Sequence, residues 1–551
     1  EKQEIGSLWV EVPLEDVHMP LYHVSTTALR VNPAGDAPEG QGLVWDTRDF
    51  PDGAWPTGFR PYVWLGGAER GLCWFADNDK NWVIDVDRKE GTYKPAFSLH
   101  RNDGVLTLRV HMVQRPIALE EPRKIVFGLM ASPAKPMPKD WRKTLFNRRH
   151  EDYPVITWMG STYWGATQTM REAYPLNADF SVLSKMQEAR LTGTTRNTGQ
   201  FMRAWEARNL SDYREVPGRK SKETIGKLTG HSIRRGQAAH GPGYQNVYWE
   251  EHYSKSRFHP SVQVFKDEWD AGYGRAGFFV MGAYDRPPDY PARTGGADSY
   301  LDFQCWYGAE FIRRGIGLYF DNTFPKIAYN PVTTPAYRHE DGTIHPSAGM
   351  WWQREYFKRI WVLHQQLAPA ETQPIMMFHM TNTHVLPTMS FGQSNLDLEW
   401  KYGPEIQQSK YPADMLRTEA MGLQTGNIPL VLAGVRDTES EKQKRRAERS
   451  KFGTMMVHEI RFRYHGPAKK LMQKVLDFGY GRDDCRVYNY WDEDYPISTS
   501  DDASVKGLLL RRDGKLLLVL TSWNAEPDTV ELTLDLEELG LTDLKATDAE
   551  T

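Results

Sequence analysis

The chain has little cysteine, no long apolar run and almost no net charge, and each shortage removes a class of protein. Cys73, Cys305 and Cys485 are the only cysteines among 551 residues. They lie too far apart for a close pair with metal-ligand spacing and read as buried thiols, which leaves the compartment open. No apolar run reaches the roughly 18 residues that a membrane-crossing helix needs, so no membrane span is expected. The formal net charge is −4 with Lys and Arg spread along the chain, which leaves no basic footprint for nucleic acid. A Gly-rich phosphate loop is also missing, since Gly315-Ile316-Gly317 and Gly272-Tyr273-Gly274 are too short, and no HExxH motif occurs. Neither a cofactor nor a metal is expected. The opening Glu1-Lys2-Gln3-Glu4 is not a signal peptide, and a strand-like pattern runs on almost to Ala549-Glu550-Thr551, as in a piece of a longer protein.

Aromatic residues are plentiful: 19 Trp and 26 Tyr. Trp64, Trp74, Trp82, Trp158, Trp164, Trp249, Trp269, Trp306, Trp351, Trp352 and Trp400 sit near polar residues. Rings with a polar edge suit sugars, because a ring face covers the C–H side of a pyranose while neighbouring acids and amides bond its hydroxyls. Most Trp nevertheless serve the core. Apolar residues make up 40% of the chain and charged residues 25%, enough to bury sizeable cores, and the length calls for two or three domains.

Residues 1–140 read as a β-sandwich. Ser7 to Val12, Tyr62 to Leu65, Trp82 to Val86, Val105 to Val113 and Lys124 to Met130 are strand-like and separated by turn residues. Ser132-Pro133-Ala134-Lys135-Pro136-Met137-Pro138 is a linker. Over 150–480 strands alternate with helices, as in a (β/α)8 barrel, with a doubly wound sheet as the runner-up. The strands are Val155 to Trp158, Val262 to Phe265, Gly317 to Phe320, Ile375 to His379 and Pro429 to Ala433; the helices are Ser299 to Arg314, Met350 to Gln366, Asp414 to Leu423 and Glu439 to Arg463. Residues 481–551 return to alternation in a small β-domain, with Val505 to Arg511, Lys515 to Ser522 and Thr529 to Leu536 as strands and Arg512-Asp513-Gly514 as a hairpin turn.

The strand Gly317 to Phe320 runs into Asp321-Asn322, and the carboxyl ends of parallel strands form the catalytic face of a barrel. Asp321 therefore reads as an active-site carboxylate or as a helix cap. Other strand ends are polar too. Glu268 lies beside Trp269, His379 is followed by Asn382, and Asp397 and Glu399 precede Trp400. Gathered on one rim with Trp158, Trp164 and His339, these residues form a carboxylate-rich, Trp-edged cleft. Glycosidic cleavage needs an acid to protonate the leaving oxygen and a second group to stabilise or attack the oxocarbenium-like centre. Burial against a ring raises a carboxyl pKa, so Glu268 and Glu399 suit the acid, and Asp321 suits the nucleophile or stabiliser. A satisfied core histidine is the bland alternative for His379, and a solvated loop for His339.

Phe59-Arg60-Pro61-Tyr62-Val63-Trp64-Leu65-Gly66-Gly67, then Arg70-Gly71-Leu72-Cys73-Trp74-Phe75-Ala76, and Gly128 to Pro136 before the strand-helix region resemble the sandwich of proteins related to glycoside hydrolase family 123. The resemblance implies a sandwich and a (β/α)8 barrel that release β-linked N-acetylgalactosamine through an adjacent Asp-Glu pair. In such a pair Asp orients the acetamido group that attacks its own anomeric carbon, and Glu is the acid/base. Asp321 matches the first position, whereas Asn322 stands at the second and cannot serve as the acid. Two readings stay open: a glycoside hydrolase acting on a carbohydrate with its acid supplied from elsewhere, or a glycan-binding protein whose acid pair has decayed. A lyase or isomerase on the same fold is a third. The expected location is secreted, periplasmic or at the cell surface.

Overall fold

The computed structural model describes residues 3–26, 33–48, 55, 57–84, 94–146, 155–158, 245–250, 301–302, 305, 309, 312–313, 317–320, 323, 325, 328–329, 331–332, 334–370, 375–379, 384–399, 403–435, 438–462, 466–524, 526 and 529–549. Its amino-terminal part has two larger antiparallel sheets and a two-stranded pair, Gln3–Ile5 with Ile117–Leu119. One has four strands in the order Leu8–Glu15, Val105–Val113, Phe97–Asn102, Gly42–Asp46. The other has five, in the order Gly128–Ser132, Gly71–Phe75, Tyr62–Gly66, Leu21–Ser25, Ala34–Asp36. Alternation explains the faces: Leu106, Leu108 and Val110 are buried while Thr107, Arg109 and His111 between them are only partly covered.

The space between these sheets is filled by rings. Trp74 meets Phe97 edge to face at 4.8 Å, and Phe59 meets Trp55 at 5.1 Å and Trp82 at 5.5 Å. Trp64 is fully enclosed, its indole N–H donating to Ser132 Oγ at 3.0 Å. Three of the tryptophans read as candidate sugar platforms, Trp64, Trp74 and Trp82, are thus core residues. Aromatic bulk fills this sandwich, and each such ring buries about 150–250 Å².

The central element is a sheet of eight parallel strands in sequence order: Leu145–Phe146, Val155–Trp158, Gln245–Glu250, Gly317–Phe320, Met376–His379, Ser394–Asp397, Ile428–Val431 and Arg461–Phe462. The first strand and the last also lie beside each other. Apolar runs such as Met376-Met377-Phe378 and Ile428-Pro429-Leu430-Val431 are fully buried, as strands covered on both faces require. Helices at Met350–Leu367, Ala413–Glu419, Glu441–Met456 and Gly466–Phe478 accompany the sheet.

Several sequence expectations shift. The helix read over Glu439 to Arg463 stops at Met456; Glu459 then takes a left-handed φ of 55° and the chain enters the last strand. The helix read over Asp414 to Leu423 ends at Glu419, before a turn in which Gly422 has φ +71°. Trp82 to Val86 contributes only a single bridge, Val83 to Val113, among its described residues. The strand expected at Val262 to Phe265 lies outside the described residues.

Beyond the last helix come three antiparallel strands, ordered Arg486–Asn489, Val505–Arg512, Lys515–Ser522, and a two-stranded pair, Ile497–Thr499 with Leu532–Leu534. Arg512 pairs with Lys515, leaving a two-residue turn in which Asp513 and Gly514 have φ of 50° and 70°. Positive φ at both centres is the turn that matches strand twist, and Asp-Gly is the pair that tolerates it.

Buried polar bonds join these parts. The helix Met350–Leu367 follows Gly349, which has no capping side chain, and Asp77 of the sandwich supplies the missing acceptor: its Oδ1 takes the N–H of Met350 at 2.5 Å and of Trp351 at 3.3 Å. From the linker, Lys135 Nζ donates to the carbonyls of Thr425 at 2.9 Å and Gly426 at 2.8 Å and to Asn427 Oδ1 at 2.5 Å. Glu459 is buried and receives Arg142 through both oxygens at 2.6 and 2.8 Å, the Tyr480 hydroxyl at 2.8 Å and the Asn489 amide at 2.9 Å.

Candidate active site

Parallel strands in one sheet deliver their last residues to one edge. Register fixes which residues share it. Phe320 pairs with Glu250 on one side and with Phe378 on the other, His379 pairs with Leu396, and Asp397 pairs with Val431. Trp158 ends the second strand and Glu250 the third.

His379 is the best defined of the candidates. Its side chain is buried, and its carbonyl accepts the Thr323 N–H at 3.0 Å and the Thr323 hydroxyl at 3.1 Å. The chain on both sides of Asp321-Asn322 is therefore tied to this edge, by Phe320 through the sheet and by Thr323 through His379. Asp321 and Asn322 themselves lie outside the described residues, as do Glu268, Trp269, Asn382, Trp400 and Trp164.

Glu399 stands next to His379, with Oε2 3.4 Å from Nε2. The glutamate side chain is 29% exposed against 4% for the histidine, so one partner faces solvent while the other is sealed in the fold. Asp397 is buried, and its Oδ1 accepts the N–H of Leu398 at 2.7 Å. Leu398 carries a φ of 57°, a left-handed conformation that costs a non-glycine residue about 1–2 kcal/mol. The chain holds that strain between Asp397 and Glu399, where it turns off the strand. Strained backbone of this kind concentrates at functional sites.

His339 belongs to a small hairpin, Tyr337–Arg338 with Ile344–His345, in the connection between the fourth strand and the helix at Met350. Its ring stacks on His345 at 4.8 Å and 13°, and Asp341 lies 3.2 Å away. The sandwich pins this hairpin: Asp79 accepts the Tyr337 hydroxyl at 2.8 Å and lies 3.2 Å from His345 Nδ1. The hydrogen bond to Asp79 raises the His345 pKa above its ordinary value against the effect of burial. His339 is thus fixed relative to the sandwich, with no described contact to His379 or Glu399.

Glu250 was missed by the sequence reading. Its strand opens with Gln245-Asn246, which hides the β-rich Val247-Tyr248-Trp249 that follows; the available signal was that trio ending in Glu250-Glu251. Among the described residues, no group of three or more His, Cys, Asp or Glu is arranged to hold a metal ion.

The assignment comes from the other end of the chain, where residues 471–549 match the family model for the glycoside hydrolase 123 C-terminal domain. The chain is related to glycoside hydrolase family 123. A comparison with curated proteins finds no match. The matched stretch of this family 123 relative begins inside the helix Gly466–Phe478 and takes in the antiparallel strands after it. The candidate edge of the parallel sheet lies upstream of that match.

Proposed function

We propose that the protein is a glycoside hydrolase that cleaves a glycosidic bond in a complex glycan or polysaccharide, with the eight parallel strands forming a (β/α)8 catalytic barrel. The observation that carries this reading is the family relationship over 471–549. The approach of the first and last strands supports closure, and the pairing of His379 with Glu399 at the strand ends supports a site there.

In this reading Asp321 is the nucleophile or electrostatic stabiliser, and Glu399 is the general acid, held by His379 where solvent and substrate reach it. Glu268 and Glu250 are the other acids near candidate strand ends. An amide at Asn322 cannot protonate a leaving oxygen, so the proton must come from one of these carboxyls. A carboxyl separation of about 5 Å would retain the anomeric configuration and roughly 6.5 to 9.5 Å would invert it.

The test is sugar release from a panel of glycans and aryl glycosides by the wild type, Asp321→Ala and Glu399→Gln. Asp321→Ala is expected to lower turnover by at least about 100-fold with the fold intact. Glu399→Gln is expected to keep more activity on aryl glycosides, whose leaving groups need no proton, than on glycans. Undiminished release by well-folded Asp321→Ala would remove that residue from the mechanism. Asn322 favours a second reading, a glycan-binding protein without catalysis, and binding without release by the wild type would establish it.

A further inference from the structure

A cleft of about 580 Å³ opens between the sandwich and the carboxyl-terminal strands. The sandwich turn Gly67 to Arg70 lines one side, Trp491 to Asp494 line another, and Arg417 joins them. Two connections set it apart from the candidate active site. Arg417 sits in the last turn of the helix Ala413–Glu419, which returns the chain toward the start of the strand Ile428–Val431. Asp492 is bound by the N–H of Asn489 at 2.7 Å, and the Asn489 amide in turn holds Glu459, which precedes the strand Arg461–Phe462. The cleft therefore lies toward the amino ends of the strands, whereas His379 and Asp397 end theirs.

Its lining is specific in chemistry. Carboxylates at Glu69, Asp492, Glu493 and Asp494 outnumber the guanidinium groups of Arg70 and Arg417, which disfavours phosphate, sulfate or uronate. Asp494 is already paired with Arg486 at 2.5 Å, which leaves three carboxylates against two guanidinium groups and little net charge to draw a cation. Apart from Trp491 the apolar members are small, so the cleft offers little to a lipid. What fits is a neutral ligand rich in hydroxyls: carboxylates accept from them, guanidinium groups donate to them and the half-buried indole of Trp491 adds apolar surface for C–H groups. Trp491 is held in place, its ring stacked on His458 at 6.0 Å and 20°, with the Arg417 guanidinium 5.8 Å from the ring centre.

We propose that this cleft binds a neutral oligosaccharide as a second glycan site, separate from the strand-end site. The proposal rests on the glycan-acting reading for its ligand class, but its geometry is independent of the catalytic residues. The experiment is saturation-transfer NMR and calorimetry with maltotriose, cellotriose and triacetylchitotriose, using Asp321→Ala so that the probes are not consumed. Expected is binding of at least one probe that is weakened at least tenfold by Trp491→Ala and also by Ala68→Phe. The second variant fills the cleft from a half-buried turn position and leaves the core untouched. Binding unchanged in both variants, or no binding of any probe, overturns the proposal. Cleft-dependent binding in a protein whose wild type hydrolyses nothing would support the cleft and overturn only the hydrolase reading.

Discussion

Single residues carry more of this molecule's organisation than their sequence neighbours disclose. Glu459 binds Arg142, Tyr480 and Asn489, and so ties the linker region to the last strand and to the carboxyl-terminal part. Burial alone would raise its pKa, but the charge and hydrogen bonds of Arg142, with Arg461 and the Tyr480 hydroxyl, hold it below the ordinary range. A lowered folded pKa means that this contribution is present above the unfolded value and is lost as pH falls through the folded one. Glu459→Ala is expected to destabilise by about 3 kcal/mol near neutral pH, because it strands a guanidinium and a hydroxyl, and by less in acid. Urea denaturation at two pH values checks both parts. Nothing in Val457-His458-Glu459-Ile460 announces that hub, since its partners are more than 300 residues upstream or lie downstream past a helix. The position of His379 was legible for the opposite reason: it is a polar residue that ends the apolar strand Met376-Met377-Phe378, a local signal, whereas Asp397 ends the polar Ser394-Asn395-Leu396, which shows no such contrast.

At the scale of elements, legibility followed length and period. The 18 residues of Met350–Leu367 repeat their buried positions with helical spacing, at Gln353, Tyr356, Phe357, Ile360 and His364, and were readable. Leu145–Phe146 and Arg461–Phe462 are strands of two residues each, too short to show any period. They exist because neighbouring strands pair with them, so Arg461 read as helix. The start of Met350–Leu367 was readable too, at Met350, but its cap was not, because the acceptor is the distant Asp77. Burial pushes the Asp77 pKa up to about 6, against the N–H groups of Trp351 and Met350 that favour its charge. A raised folded pKa gives stability that is complete below the unfolded value near 4 and is lost as pH rises through about 6. Asp77→Asn should therefore flatten that part of the pH–stability curve. Asp77→Ala removes the titrating group as well as the acceptor, so it should flatten the same part of the curve and lie about 1 kcal/mol below Asp77→Asn throughout. Thermal melts from pH 4 to 8 distinguish the two.

For the whole molecule, the proline-rich linker is as much a fastener as a spacer. The half-buried reach of Lys135 to three oxygens around the start of Ile428–Val431 couples sandwich and parallel sheet. Lys135→Ala should destabilise by about 2–3 kcal/mol and split one calorimetric transition into two; a single transition of unchanged midpoint would show that the coupling lies elsewhere. The change from strand-only to strand-helix stretches was visible in sequence because the two alternate differently, but the bonds of Asp77, Lys135 and Arg142 join residues hundreds of positions apart. That separation also sets an order of events during synthesis. The Asp77 carboxylate leaves the ribosome 273 residues ahead of the amide it will cap. The last sandwich strand ends at Ser132, so at about 5–20 residues per second the whole sandwich has roughly 11 to 44 seconds to finish folding before that helix appears. The first-made part can thus serve as a template for a helix whose own sequence provides no start.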